Sequence, residues 1–439
     1  MNSLDFFLVP LYLIIILVTA NFYKKNNYHK GPEFKYFNQG LIIKIFGALI
    51  AGIIYQFYYG GGDTFNFYIM TSAFYDTFKS DPASFFRLLF IESGDYSQYD
   101  LMPHIGKFYS WYYKEDSAFF VSKIGGVFSI FTFNSYALIS IFFACFSYIG
   151  VWSLYRTFCK LFPKLYKTLA FTILFIPSVW FWGSGLFKDT VALGCVGLLT
   201  ACIYKIFVER KISLITIILA LISIYFIYII KTYILISFIP ALAIFIFSLW
   251  KSRIKYKFLR RITTPVILIL TLVIAQQYIS SLDSVDGTFK ETFETIEQTQ
   301  DWHTKISEQG RTYSLGSYDA SITGIIQKMP LAVNVALFRP YIWEAQGALL
   351  LITALENLFI LFYSVYILIV IRPLIVFNII SNHPILNLSL IFTIILGFII
   401  GFTTYNFGAL ARYKIPLIPY YVSTLFIIKH IYDESRVNS

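Results

Sequence analysis

The sequence predicts an all-α polytopic membrane protein with about 11 transmembrane helices, and three observations carry that expectation. Hydrophobic residues make up 57% of the 439 and charged residues only 13%; mean hydropathy is +0.67. Soluble globular chains do not have that balance. Runs such as Leu41 to Tyr59, Ile212 to Ile230 and Leu386 to Phe402 approach the ~20 residues a helix needs to cross a bilayer. Charge, finally, sorts to one side. With eleven spans and the amino terminus outside, 21 of the 35 Lys and Arg fall on inside segments, against four acids (Glu33, Glu209, Asp433, Glu434). The outer segments hold the other 14 bases and 19 of the 24 acids. Basic residues collect in cytoplasmic loops, so the expectation is a multi-pass plasma (inner) membrane protein with its carboxyl terminus in the cytoplasm.

Span one, Phe6 to Tyr23, carries Asp5 where a signal peptide needs basic residues, so it reads as an anchor. Span two, Leu41 to Tyr59, is followed by a long outer segment, 60–134, too polar for continuous membrane and too apolar for a free loop. Within it Phe67, Phe74, Tyr75 and Phe78, then Phe85, Leu88 and Leu89, then Phe119, Phe120, Ile124, Val127 and Phe128 fall near helical spacing. These predict amphipathic helices in the interface plane, with aromatic sides on the bundle or in lipid. Spans three to eight follow at Ser135–Tyr155, Thr168–Trp182, Asp189–Val208, Ile212–Ile230, Thr232–Trp250 and Thr263–Ile279. A second outer segment, 280–345, carries Phe289, Phe293 and Ile296 at helical spacing, and Gly310 and Gly316 at expected turns. Spans nine to eleven are Gln346–Ile371, Leu386–Phe402 and Ile415–Ile431. The whole reads as one membrane domain, 1–439, without an internal repeat.

The net charge of +11 is spread over short inside loops, which is no nucleic-acid footprint. Its densest stretch, Lys251 to Arg261, directly follows an apolar run and fits anionic membrane lipids. Cys145, Cys159, Cys195 and Cys202 lie in or beside spans as small core residues, and the five histidines are scattered, so no metal site is expected.

Four outer constellations hold the chemistry. In Tyr58-Tyr59-Gly60-Gly61-Gly62-Asp63-Thr64, three glycines turn the chain and deliver Asp63 to the rim of the bundle as a candidate general base. Its competing reading is a helix cap. In Gly183-Ser184-Gly185-Leu186-Phe187-Lys188-Asp189, flexible residues opening a helix expose N–H groups beside Lys188, which suits a phosphate. Mutual neutralisation of Lys188 and Asp189 is the bland alternative. Arg339-Pro340-Tyr341-Ile342-Trp343-Glu344 offers a guanidinium fork, aromatic faces for a sugar ring and a carboxylate for its hydroxyls. Trp, Tyr and Arg are equally common as membrane-interface anchors. Arg412-Tyr413-Lys414-Ile415-Pro416-Leu417-Ile418-Pro419 brings two cations to a helix start, where an anion would stabilise them. There Arg412 is the expected ligand contact and Lys414 the expected snorkel to the headgroups. Glu356, beside Asn357, is the one clearly intramembrane acid.

An Asp in the first large outer loop, interface helices after it, and a closing Arg-Tyr-x-x-Pro-x-x-Pro span resemble the GT-C glycosyltransferases of the bacterial surface-polysaccharide type. The resemblance implies a GT-C-like fold and a polyprenyl-phosphate-linked sugar donor taken from the membrane. It further implies a glycan or lipid acceptor outside the cytoplasm, and Asp63 as base. Lys188, Asp189, Arg339, Trp343, Glu344, Arg412 and Tyr413 would then contact substrate. The sequence itself requires no cofactor and leaves a divalent cation open. A repeat-unit polymerase would handle the same lipid-linked glycans and make long chains; a lipid-linked glycan flippase would place ionisable groups near the membrane midplane.

Overall fold

The structure is a computed structural model that describes residues 5–95, 110–251, 312–316 and 322–437. Among these residues the regular elements are helical, apart from one isolated bridge between Thr312 and Asn406. Seven helical stretches are long and apolar enough to cross a membrane: Asp5–Lys30, Pro32–Phe57, Tyr136–Leu161, Lys188–Phe207, Leu214–Trp250, Ala348–Val370 and Pro384–Thr403.

Seven rather than about 11 meet that standard, for identifiable reasons. The expected span Thr168–Trp182 is two short helices, α8 (Tyr166–Leu174) and α9 (Pro177–Trp182), because Pro177 lacks the N–H that would continue the first. Ile212–Ile230 and Thr232–Trp250 join into one element, α11 (Leu214–Lys251), whose backbone leaves the helical region at Lys231 (φ −154°, ψ 75°). The last helix, α17 (Ile418–Val437), forms, but Lys429, Asp433 and Glu434 interrupt its apolar length. The expected span Thr263–Ile279, the helix around Phe289, Phe293 and Ile296, and Gly310 lie outside the described residues.

The chain divides into two compact units, Met1–Thr232 and Tyr233–Ser439. In the first unit α1 (Asp5–Asn27) and α2 (Phe37–Phe57) precede three elements of the 60–134 segment: α3 (Asp63–Ser80), α4 (Pro82–Phe90) and α6 (Asp116–Thr132). Several of the positions with helical spacing pack on one another: Phe74, Phe85, Leu88 and Phe119 join Met70 and Tyr113 in one buried cluster, with Phe78 and Leu89 against it. Each such side chain contributes about 1.5–3 kcal/mol relative to exposure in water. Phe86 and Phe90 remain exposed on the other side of α4. Next come α7 (Tyr136–Leu161) and α10 (Lys188–Phe207), the most closely associated pair of this unit. A Cβ on Gly150 would overlap the Gly194 carbonyl, and one on Gly197 would press the Gly150 carbonyl. Two helices without side chains at the crossing bring their backbones together, as small residues do between membrane helices.

In the second unit α12 (Ile322–Phe338) packs on α15 (Pro384–Thr403), where Gly401 meets the Ala332 carbonyl. α13 (Ala348–Val370) and α14 (Pro373–Asn382) join α17 around this pair, and α16 (Phe407–Tyr413) is a short helix capped by the Asn406 side chain.

Candidate functional site

Each unit carries a polar cluster beside its apolar helices. In the first, α2 ends at Phe57 and the chain turns through Gly60, Gly61 and Gly62 at φ +69°, +143° and +118°. Three successive residues at positive φ favour glycine because a Cβ would clash there. The Gly61 N–H closes on the Tyr55 carbonyl at 2.9 Å, and Asp63 then opens α3 with Gly62 as its N-cap. Asp63 is therefore the first helical residue and not the cap, in the turn where a carboxylate is favoured by the helix dipole.

The Tyr112 hydroxyl, from the short helix α5 (Ser110–Lys114), donates to Asp63 Oδ1 at 3.3 Å and accepts from Asn66 Nδ2 at 3.0 Å. Burial, reinforced by the Asp63 carboxylate, pushes this phenol up to about 12, so it keeps its proton and serves as a donor. Three residues on, Glu115 pairs with Lys188, the first residue of α10. The Lys188 ammonium lies 5.9 Å from the centre of the Phe67 ring, and Phe67 meets Tyr112 edge to face at 5.2 Å. Asp63 and Lys188, far apart in sequence, thus belong to one cluster joined by Tyr112, Phe67 and Glu115.

Asp189 does not join them. It turns into the core, where it pairs with Lys231 at the break in α11, and both side chains are buried. Lys188 and Asp189 therefore do not neutralise each other. The preceding turn also departs from expectation: Gly183 to Phe187 are buried, with Gly185 against Ala48 near the middle of α2. Ser184 Oγ donates to the Trp180 carbonyl, and Thr190 Oγ1 donates to the Ser184 carbonyl at 2.8 Å. An open phosphate cradle at Gly183–Gly185 is thus corrected to a packed turn. Its carbonyls are satisfied by a residue the sequence reading passed over. Lys44 Nζ, fully buried in α2, donates to Gly183 O at 2.6 Å, to Val179 O at 3.3 Å and to Ser147 Oγ at 3.3 Å. Interrupted helices leave carbonyls that need donors away from water, and Lys44 supplies them. Its signal was a lone lysine inside the apolar run from Leu41, a placement that by itself marks a residue with a task.

In the second unit the Arg339 fork binds Glu344 at two points, Nε to Oε2 at 3.0 Å and Nη2 to Oε1. Glu344 Oε2 also accepts the Tyr341 N–H at 2.9 Å. The rings of Tyr313, Tyr341 and Phe407 stand 5.6, 5.9 and 5.3 Å from the guanidinium. Trp343 is 80% exposed and stacks on Tyr341 with centroids 4.9 Å apart. The expected motif 339–344 is thus assembled as a local unit.

Lys414 corrects another expectation. It does not snorkel: it is fully buried, and Nζ donates to Asn357 Oδ1 at 2.6 Å and to Arg339 O at 3.3 Å. The turns between α16 and α17, with Pro416 buried among them, direct its side chain inward instead of along a helix surface. Asn357 Nδ2 donates in turn to Pro340 O at 3.3 Å. Arg412 and Tyr413 are half-buried in the last turn of α16. Glu356, the acid noted in the sequence, is half-buried, and its neighbour Asn357 makes the bonds just described.

Among the described residues no group of three or more His, Cys, Asp and Glu side chains stands ready for a metal ion. Comparison of the chain with family models, with curated proteins and with solved structures gave no match. The cluster in the first unit offers a carboxylate, a phenol donor, a lysine and aromatic faces at one place. That in the second offers an aromatic-walled guanidinium.

Proposed function

We propose that the chain is a membrane glycosyltransferase that moves a sugar from a polyprenyl-phosphate-linked donor to an acceptor outside the cytoplasm, in the assembly of a cell-surface glycan. The observation that carries this reading is the joining of Asp63 to Lys188 through Tyr112, Phe67 and Glu115 in the first unit. Asp63 takes the proton of the acceptor hydroxyl as that oxygen bonds to the anomeric carbon. The bond from that carbon to the donor phosphate breaks, and the polyprenyl phosphate leaves with the electron pair. Lys188, released by the half-exposed Glu115, balances the charge growing on the phosphate. Tyr112 fixes the Asp63 carboxylate, and Phe67 with Tyr112 gives the apolar wall on which a sugar face packs. In the second unit, taken by itself, Arg339, Trp343, Glu344, Arg412 and Tyr413 are proposed as a separate set of substrate contacts.

The test is transfer of sugar from a synthetic polyprenyl-phosphate donor by purified protein in liposomes. Asp63→Asn should abolish transfer while leaving helix content and membrane insertion unchanged; full activity in that variant removes Asp63 as base.

A second reading, translocation of a lipid-linked glycan, is favoured by one specific feature. The α8–α9 break and the turn 183–187 put interrupted backbone beside the middle of α2, with the cation of Lys44 on its carbonyls. Transporters use interrupted helices in this way. Movement of a fluorescent lipid-linked sugar between leaflets, without a new glycosidic bond, would favour this reading over transfer.

A further inference from the structure

We propose that Arg339 is a binding site for a phosphate-type oxyanion, and that Glu344 is the chain's own displaceable occupant of it. The inference deepens the substrate contact proposed above for Arg339, but anion capture here requires no sugar chemistry, so its failure is read separately from the failure of sugar transfer.

The donor geometry comes first. Arg339 Nε, Arg339 Nη2 and the Tyr341 backbone N–H converge on one carboxylate, and its Oε2 accepts from two of the three. A carboxylate has two oxygens to offer; a terminal phosphate offers three and meets the same donors one to one. The Nη1 hydrogens of Arg339 have no acceptor among the described residues, which leaves further donors for a larger anion such as a diphosphate. The Arg339 side chain is 20% exposed and that of Glu344 18%, so the pair is reachable.

The wall of the site also favours an anion. Tyr313, Tyr341 and Phe407 surround the cation with rings, which hold its plane in place and keep water off its faces. A guanidinium shielded in this way binds oxyanions more strongly than one in bulk water.

The two partners are held differently, Arg339 by bonds from distant helices and Glu344 by bonds within its own short turn. The backbone beneath Arg339 is gripped by Lys414 at Arg339 O and by Asn357 at Pro340 O. Glu344 instead ends a single turn of 3-10 helix, Ile342–Glu344, followed by the exposed Gln346 and Gly347. A change of Glu344 rotamer opens the fork without moving the fork.

The test uses the full chain in phosphatidylcholine nanodiscs, with two probes: inorganic pyrophosphate, read by calorimetry, and phosphatidate doped into the disc, read by native mass spectrometry. Glu344→Gln keeps an oxygen for the Tyr341 N–H but removes the competing charge, and should tighten binding roughly tenfold. Adding Arg339→Gln to that variant should erase the gain. A gain with pyrophosphate assigns the site to free anions, and a gain with phosphatidate alone assigns it to a lipid headgroup. If neither probe binds Glu344→Gln more tightly, or if the gain survives Arg339→Gln, the proposal is overturned. Should Glu344→Gln fail to fold, Glu344→Ala, which removes the competing carboxylate altogether, takes its place with the same expectation.

Discussion

Lys44, Lys188, Lys231 and Lys414 carry the same ammonium group into different settings. Lys188 and Lys231 each meet a carboxylate, Glu115 and Asp189, whereas Lys44 and Lys414 donate to neutral oxygens in apolar surroundings. Lys123, in α6, illustrates how burial alone changes the group. Its Nζ donates to the Ile91 carbonyl and lies 4.5 Å from the centre of the Phe119 ring. Burial lowers its pKa from 10.5 to about 8, with Asp116 opposing the shift. A lysine depressed in the folded state binds fewer protons there than when unfolded, so stability rises with pH between about 8 and 10.5. A reductively methylated sample should show the Lys123 resonance titrating near pH 8; titration with the surface lysines would contradict that placement. For the candidate base, Tyr112→Phe removes the hydrogen bond to Asp63 but keeps the ring against Phe67. Under the transferase reading Tyr112→Phe and Lys188→Gln should each lower kcat more than they raise KM.

Among the elements, the closest approach is that of α7 to α10, where Gly150, Gly194 and Gly197 leave no room for a side chain. Gly150→Leu should force the helices apart and cost about 1–3 kcal/mol, by analogy with overpacking in a filled core. The midpoint of unfolding in detergent is the measurement, and an unchanged midpoint would mean the crossing is looser than described. The Asp189–Lys231 pair ties the start of α10 to the break in α11. Asp189→Asn takes the carboxylate away from a buried cation and should cost about 3–5 kcal/mol, while adding Lys231→Met should recover most of that loss. Recovery is the informative result, because a merely damaged helix start would not be repaired by a second substitution.

For the molecule as a whole, the charge sorting predicts a sidedness that cysteine labelling can test. His29 and Lys79 are both exposed. Under that prediction His29→Cys is shielded from an impermeant thiol reagent in intact cells, and Lys79→Cys is labelled. The reverse pattern would invert the topology and move the Asp63 cluster to the cytoplasmic side.

The sequence by itself determined the membrane class, most of the long helical stretches and the glycine turn before Asp63, since each depends on residues adjacent in the chain. Apolar run length sets whether a helix can span, and successive glycines set where the backbone can reverse. It also marked residues 339–344, whose main ion pair spans five positions. Only the tertiary structure decided the partners. Tyr112 lies 49 positions from Asp63, Glu115 lies 73 from Lys188, and Lys44 lies 139 from Gly183. No local pattern encodes those separations; helix packing chooses them. The neighbours Lys188 and Asp189 show why. Successive residues on a helix point about 100° apart, so packing sent one to the Asp63 cluster and the other into the core.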